Sequence, residues 1–198
     1  MPDQIWALIV FALIATGSPG GATALATASG ARFGYRQSLP LILGIAIALA
    51  LLVAVSGTSL AATLQSTPFL SSAIKAIGSA YLVWLALKIG FAGSPSAARL
   101  SETQPMSFLV GAALLLVNPK AWAMAVGVAS SFSNLVSDPL LLGCILAAVF
   151  LVCAYVSLSL WVLAGGFVAN FLRTDWHWHM FNGAMALLLL ISILQIWI

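Results

Sequence analysis

The chain has 198 residues, 63% of them hydrophobic and only 6% charged, with a formal net charge of +3. That composition leaves too little polar surface for a water-soluble globule and fits an all-α integral membrane protein forming one compact domain. It also excludes nucleic acid as a partner, because the seven basic residues are scattered along the chain and form no basic run.

A helical span needs about 20 mostly apolar residues, and the chain holds roughly six such runs. The first is read as a true span and not as a cleaved leader, since Asp3 precedes it and no Lys or Arg does. Span 1 covers residues 4–28 and is interrupted by Gly17-Ser18-Pro19-Gly20-Gly21. Proline removes a backbone donor and glycine loosens the helix, so backbone groups here are expected to lack partners within their own helix. At membrane depth such groups persist only where protein or a water-filled cavity supplies a partner, which makes the stretch a candidate transport site. Ser18 adds a hydroxyl, and a helix starting after the break would turn the positive end of its dipole toward a substrate carboxylate. A short polar loop with Arg32 and Arg36 is expected next, with Gly30 and Gly34 making its turn.

Span 2 covers residues 39–64, where Gly44 and Gly57 are expected to be close-contact points between helices. Span 3 begins after Pro68, carries Lys75, Gly78, Tyr81 and Trp84, and ends near Lys88. Lys75 lies about 10 Å into that span, shallow enough to snorkel or to serve in coupling. Residues 92–105 read as a flexible linker between two halves, 1–91 and 106–198. Span 4, residues 106–131, carries a second interruption at Asn118-Pro119-Lys120. An ammonium group deep in a span is costly unless paired or hydrated, so the default reading of Lys120 is functional. Asn118 beside it can both donate and accept.

Span 5 covers residues 139–172, long enough to tilt or to break at Gly165-Gly166. Its two cysteines, Cys144 and Cys153, lie about 180° apart around the helix axis, so they read as packing residues that cannot bond each other. Trp176-His177-Trp178-His179 is placed in a short inner loop as an interfacial aromatic belt, since a metal pair there would lack a third ligand beyond Asp175. Span 6 runs from residue 180 to 198.

The basic residues set the orientation. Arg32, Arg36, Lys88, Arg99 and Arg173 all follow odd-numbered spans, which predicts those loops inside and both termini outside the cytoplasm. Three spans per half is an odd number, so a second half that repeats the first must insert upside down, giving two inverted three-helix repeats with helices 1 and 4 broken. Pro19 lies roughly 22 Å along span 1 and Pro119 roughly 20 Å along span 4, so antiparallel insertion brings both breaks near the centre of a core about 30 Å thick.

The four carboxylates, Asp3, Glu102, Asp138 and Asp175, all fall outside the spans, which argues against a carboxylate proton relay and an intramembrane metal site. No phosphate-binding loop of the G-x-x-x-x-G-K type is present. The reading is therefore a non-enzyme with no cofactor and no ATPase of its own.

Four stretches together carry a family resemblance: Pro19-Gly20-Gly21, the turn Gly30-Ala31-Arg32-Phe33-Gly34, the run Lys75-Ala76-Ile77-Gly78-Ser79-Ala80-Tyr81-Leu82, and Asn118-Pro119-Lys120-Ala121. Over nearly its whole length the chain resembles the lysine exporter superfamily, in its homoserine/threonine-resistance branch of small amino-acid exporters. The resemblance implies six spans and export of amino acids or close derivatives from the cytoplasm, driven by a proton or other ion gradient across the inner membrane. It departs at Gly21, where the family usually has a second proline, often followed by an asparagine; here Ala22 follows. A related branch that moves reducing equivalents uses cysteines beside its helix breaks, and none lies near Pro19 or Pro119.

The expected activity is thus secondary active export by alternating access. The expected substrate site is Ser18, Pro19, Gly20, Gly21, Asn118, Pro119 and Lys120. Coupling would run through Lys75, Lys120, ordered water or the substrate's own ionisation. A homo-oligomer stays open, and the alternatives are a non-transporting scaffold subunit or a channel for small solutes.

Overall fold

The computed structural model describes residues 2–18, 20–56, 76, 79–80, 83–84, 86–87, 89–91, 104–172 and 174–197. Six helices are bounded within the described residues, where no strand occurs: α1 (Pro2–Gly17), α2 (Gly21–Ser56), α3 (Phe108–Leu116), α4 (Pro119–Ser131), α5 (Pro139–Ala169) and α6 (Asp175–Trp197); the described residues between 76 and 90 are helical as well.

Nearly every position is apolar, so side-chain size and hydroxyl content, more than hydrophobicity, separate the inner from the outer faces. On α5 the inward stripe includes Gly143, Ala154, Ser157 and Gly165 together with Leu146 and Phe150. Leu140, Leu160, Leu163 and Phe167 of the same helix point outward and are exposed, as are Trp6 and Ile14 of α1 and Leu51 of α2. Exposed apolar area on this scale would cost about 25 cal/mol per Å² in water, and it suits contact with lipid. Buried hydroxyls are satisfied on their own helices: Thr16, Thr27 and Ser56 each donate to the carbonyl four residues earlier at 2.7–2.8 Å.

Helix α2 is two helices joined by one residue. Gly34, at φ 75° and ψ 177°, leaves the helical conformation, in a region that a side chain disfavours. The hydroxyls of Ser29 and Ser38 lie 2.7 Å apart. In one straight helix these residues would be separated by about 13 Å along the axis, so the chain must turn sharply at Gly34. The expected turn therefore exists, but it is far tighter than a polar loop, and Arg32 and Arg36 sit on the flanking helices. Gly30 is not part of it. It packs instead against the backbone carbonyl of Val162, while Gly165 packs against the carbonyl of Thr27, so the two glycines make a reciprocal crossing of residues 21–33 with α5. A second reciprocal crossing pairs Gly44 with the Phe108 carbonyl and Gly111 with that of Leu41, which brings α3 against residues 35–56.

Among the described residues two helices, α2 and α5, are long and apolar enough to cross a membrane, and the bent pair Phe108–Leu116 and Lys120–Ser131, at 68°, makes a third candidate. Helix α5 is continuous through Gly165-Gly166, because the small face there is used for packing and not for a break. Helix α6 begins at Asp175, so Trp176-His177-Trp178-His179 forms its first turns and not a loop. Trp176 is exposed while Trp178 is buried, so the expected belt has one outward and one inward ring. Cys144 is exposed and Cys153 buried, as opposite faces of one helix require. Lys75, Gly57, Gly78, Tyr81, Lys88, Arg99, Glu102, Arg173 and most of the expected linker lie outside the described residues.

Candidate functional site

At the first break, α1 ends at Gly17, and Ser18 still donates its amide to the Ile14 carbonyl at 3.0 Å. The Ser18 hydroxyl donates to the Ala15 carbonyl at 2.9 Å. On the far side, Gly20 caps the start of α2. Its amide donates to the Thr23 hydroxyl at 2.8 Å, and its carbonyl accepts from that same hydroxyl at 3.0 Å and from the Ala24 amide at 2.9 Å. Pro19, between them, lies outside the described residues. The two half-helices thus present a C-terminal end, rich in carbonyls, next to an N-terminal end, rich in amides.

The second break is built by Asn118. With an extended backbone (φ −88°, ψ 109°) it leaves α3, and its Oδ1 accepts the Lys120 amide at 3.0 Å, capping α4. Pro119 stands in the first turn of α4, where its missing N–H has no helical partner to lose. Trp122 donates its indole N–H to the Leu116 carbonyl at 2.7 Å, satisfying an acceptor at the end of α3.

The two breaks touch. The Lys120 ammonium donates to the Ser18 hydroxyl at 2.8 Å and to the Ser18 carbonyl at 3.3 Å, joining residues 102 positions apart. A Cβ placed on Gly20 would come within 3.2 Å of the Lys120 Nζ, so glycine at that position leaves the ammonium its room. Ser18, Gly20, Gly21, Asn118 and Lys120 all line one cavity, with Thr16 and Thr23 adding hydroxyls and Ile45, Leu49 and Leu158 apolar walls. It offers about 40 Å³ to the centres of water-sized molecules. One water takes about 10–15 Å³ on that scale, so the space is that of a few waters or a small solute. Of the expected site residues, five are therefore brought together around one cavity. Pro119 holds its place in the backbone beside them, and Lys75 lies outside the described residues.

Helix α5 supplies contacts to the first break that the sequence analysis does not anticipate. The Trp161 indole donates to the Gly17 carbonyl at 3.1 Å, and Ser157 shares a hydrogen bond of 3.0 Å with Thr16. The available signal was spacing: Ser157 and Trp161 are four residues apart on one face of an otherwise apolar span. Tyr155 and Ser159, also four apart, meet the Tyr35 hydroxyl at 3.0 and 3.2 Å. Among the described residues no cluster of three or more His, Cys, Asp or Glu could hold a metal ion.

A family model described as LysE type translocator matches residues 13–194. The chain is 30% identical to an "Uncharacterized membrane protein" of Vibrio cholerae over 70% of this chain and 69% of that one. It is 32% identical to the "Cysteine/O-acetylserine efflux protein" of Escherichia coli over 66% of each chain. With the "Leucine efflux protein" of an Enterobacter species it shares 25% identity over 86% of this chain and 83% of the relative. No solved structure matches the chain.

Proposed function

We propose that this chain, which belongs to the LysE type translocator family, exports amino acids or small amino-acid derivatives as a secondary transporter, with the junction of its two helix breaks as the substrate site. The observation that carries the proposal is the bridge from Lys120 to Ser18, which unites the two interruptions in one cavity. An α-amino acid is a zwitterion, and the cavity offers a complement to each end: an ammonium and the amide-rich start of α2 for the carboxylate, and the carbonyl-rich end of α1 for the amine. Relatives named for efflux of cysteine, O-acetylserine and leucine support a small amino-acid substrate. The size of the cavity supports the smaller members of that class.

On this reading α1 with residues 21–33 forms a broken first span, residues 35–56 form the second, and α3 with α4 forms a broken fourth. The contact of the two breaks supports an inverted repeat of two three-helix halves, rocking about the site in alternating access, and the basic residues that follow the odd-numbered spans in the sequence support both termini outside the cytoplasm. Gradient coupling runs through Lys120 or Lys75, ordered water or the substrate's own ionisation, since no carboxylate lines the cavity among the described residues. Efflux of amino acids from cells loaded with dipeptides tests the proposal. Wild-type protein accelerates saturable efflux, and Lys120→Ala reduces it by about tenfold or more, the scale of a lost charge-assisted contact. Efflux at the wild-type rate in that variant would contradict the site.

A further inference from the structure

The present partners of Lys120 say more about the substrate than its charge does. Its ammonium occupies the C-terminal end of α1, where helix carbonyls favour a cation, and it donates to both oxygens of Ser18. Those are acceptors. The Ser18 hydroxyl proton is committed to the Ala15 carbonyl, so both oxygens present lone pairs that a substrate carboxylate cannot use, whereas a substrate ammonium would make the same bonds to the same atoms. Glycine at position 20 keeps the place open to a group of that size, because a Cβ there would stand 3.2 Å from the nitrogen. The seat is also anchored from behind. The Gly17 carbonyl accepts from Trp161 and Thr16 is tied to Ser157, so the end of α1 is held on α5 by bonds that do not involve Lys120.

We infer that the oxygens of Ser18 form the seat for the substrate's primary ammonium group, and that Lys120 fills this seat as a tethered stand-in when the carrier is empty. The inference rests on the exporter reading and adds a sequence of events to it. On binding, the substrate ammonium takes over the Ser18 hydroxyl and carbonyl, and the displaced Lys120 ammonium turns to the incoming carboxylate within the same cavity. On release, Lys120 returns. The seat therefore stays occupied by one positive charge throughout the cycle, so the empty carrier need not expose bare carbonyls at membrane depth. The chemistry selects primary amines. An α-hydroxy acid of the same shape supplies no cation to exchange, and an N-acetylated amino acid has lost it.

The test removes the stand-in and offers a free one. Purified Lys120→Ala protein is heated in ethylammonium chloride and, in parallel, in sodium chloride at the same concentration. The variant melts about 2–4 °C higher in the amine at saturating concentration, while wild type melts alike in both salts. Adding Ser18→Ala to the variant cuts the shift by half or more. Lys120→Met, which keeps an unbranched chain one atom shorter and removes the charge, carries the same test should the alanine variant not fold. Equal responses in wild type and variant, no response in either, or a response that Ser18→Ala leaves untouched would overturn the inference. Because the readout is thermal, an amine response without amino-acid efflux would sink the exporter reading and leave the ammonium seat standing.

Discussion

The two helix breaks solve the same problem by opposite means. At Asn118 every described bond that closes the break comes from within six residues: the Asn118 side chain caps α4, the Asn118 amide donates to the Leu115 carbonyl, and the Trp122 indole reaches back to Leu116. At Ser18 the critical acceptors are satisfied from far along the chain, the Gly17 carbonyl by Trp161 and the Ser18 oxygens by Lys120. A locally closed break is a rigid corner whose shape survives changes around it. A break closed by tertiary partners can be reshaped when a partner leaves. On the proposed function, the second break is the mount that aims Lys120, and the first is the half that responds to what Lys120 does.

Substitutions that remove one closing bond at a time can break or sharpen that contrast. Trp161→Phe keeps a ring against α1 but strips the donor from the Gly17 carbonyl. A half-buried acceptor left without its partner costs about 1–3 kcal/mol, so melting falls by about 2–12 °C and efflux by several-fold. Asn118→Ala removes a helix cap worth about 1 kcal/mol and lowers melting by about 2–4 °C. Its transport defect is mainly a raised KM, read from the substrate dependence of efflux, because Lys120 is less well aimed. Trp122→Phe, at an exposed bond, lowers melting by less than about 2 °C and leaves efflux near wild type. Equal transport losses from the two tryptophan variants would erase the distinction between a responsive break and a fixed one.

Much of this arrangement was legible before the structure, and the reasons differ from residue to residue. Pro119 and Asn118 announce a break because their chemistry is local: a missing donor and a capping side chain act within their own turn. Lys120 was legible because a charge in an apolar span has few tolerable explanations. Gly34 was expected in a turn, but its flanks were read as loop because Arg32 and Arg36 suggested solvent, whereas both arginines ride on helices around a one-residue corner. Gly30 and Gly165 were misread because a glycine in a helix looks the same in sequence whether it bends its own chain or admits a neighbour's backbone. Only the reciprocal contact with Val162 and Thr27 separates the two roles. Trp161 and Ser157 were missed because their partners on α1 lie 144 and 141 residues away, a distance that spacing within one helix cannot report.

The central claim is that the two breaks form one site with Lys120 and Ser18 acting as a unit. A double-mutant cycle on substrate affinity, with Ser18→Ala, Lys120→Ala and the pair, tests it most directly. Because the Lys120–Ser18 bond competes with substrate in the empty carrier, each single variant recovers part of its loss by releasing that bond, and the pair loses at least about 1 kcal/mol more than the two singles together. Losses that add to within about 0.5 kcal/mol would mean two independent sites and would contradict the account.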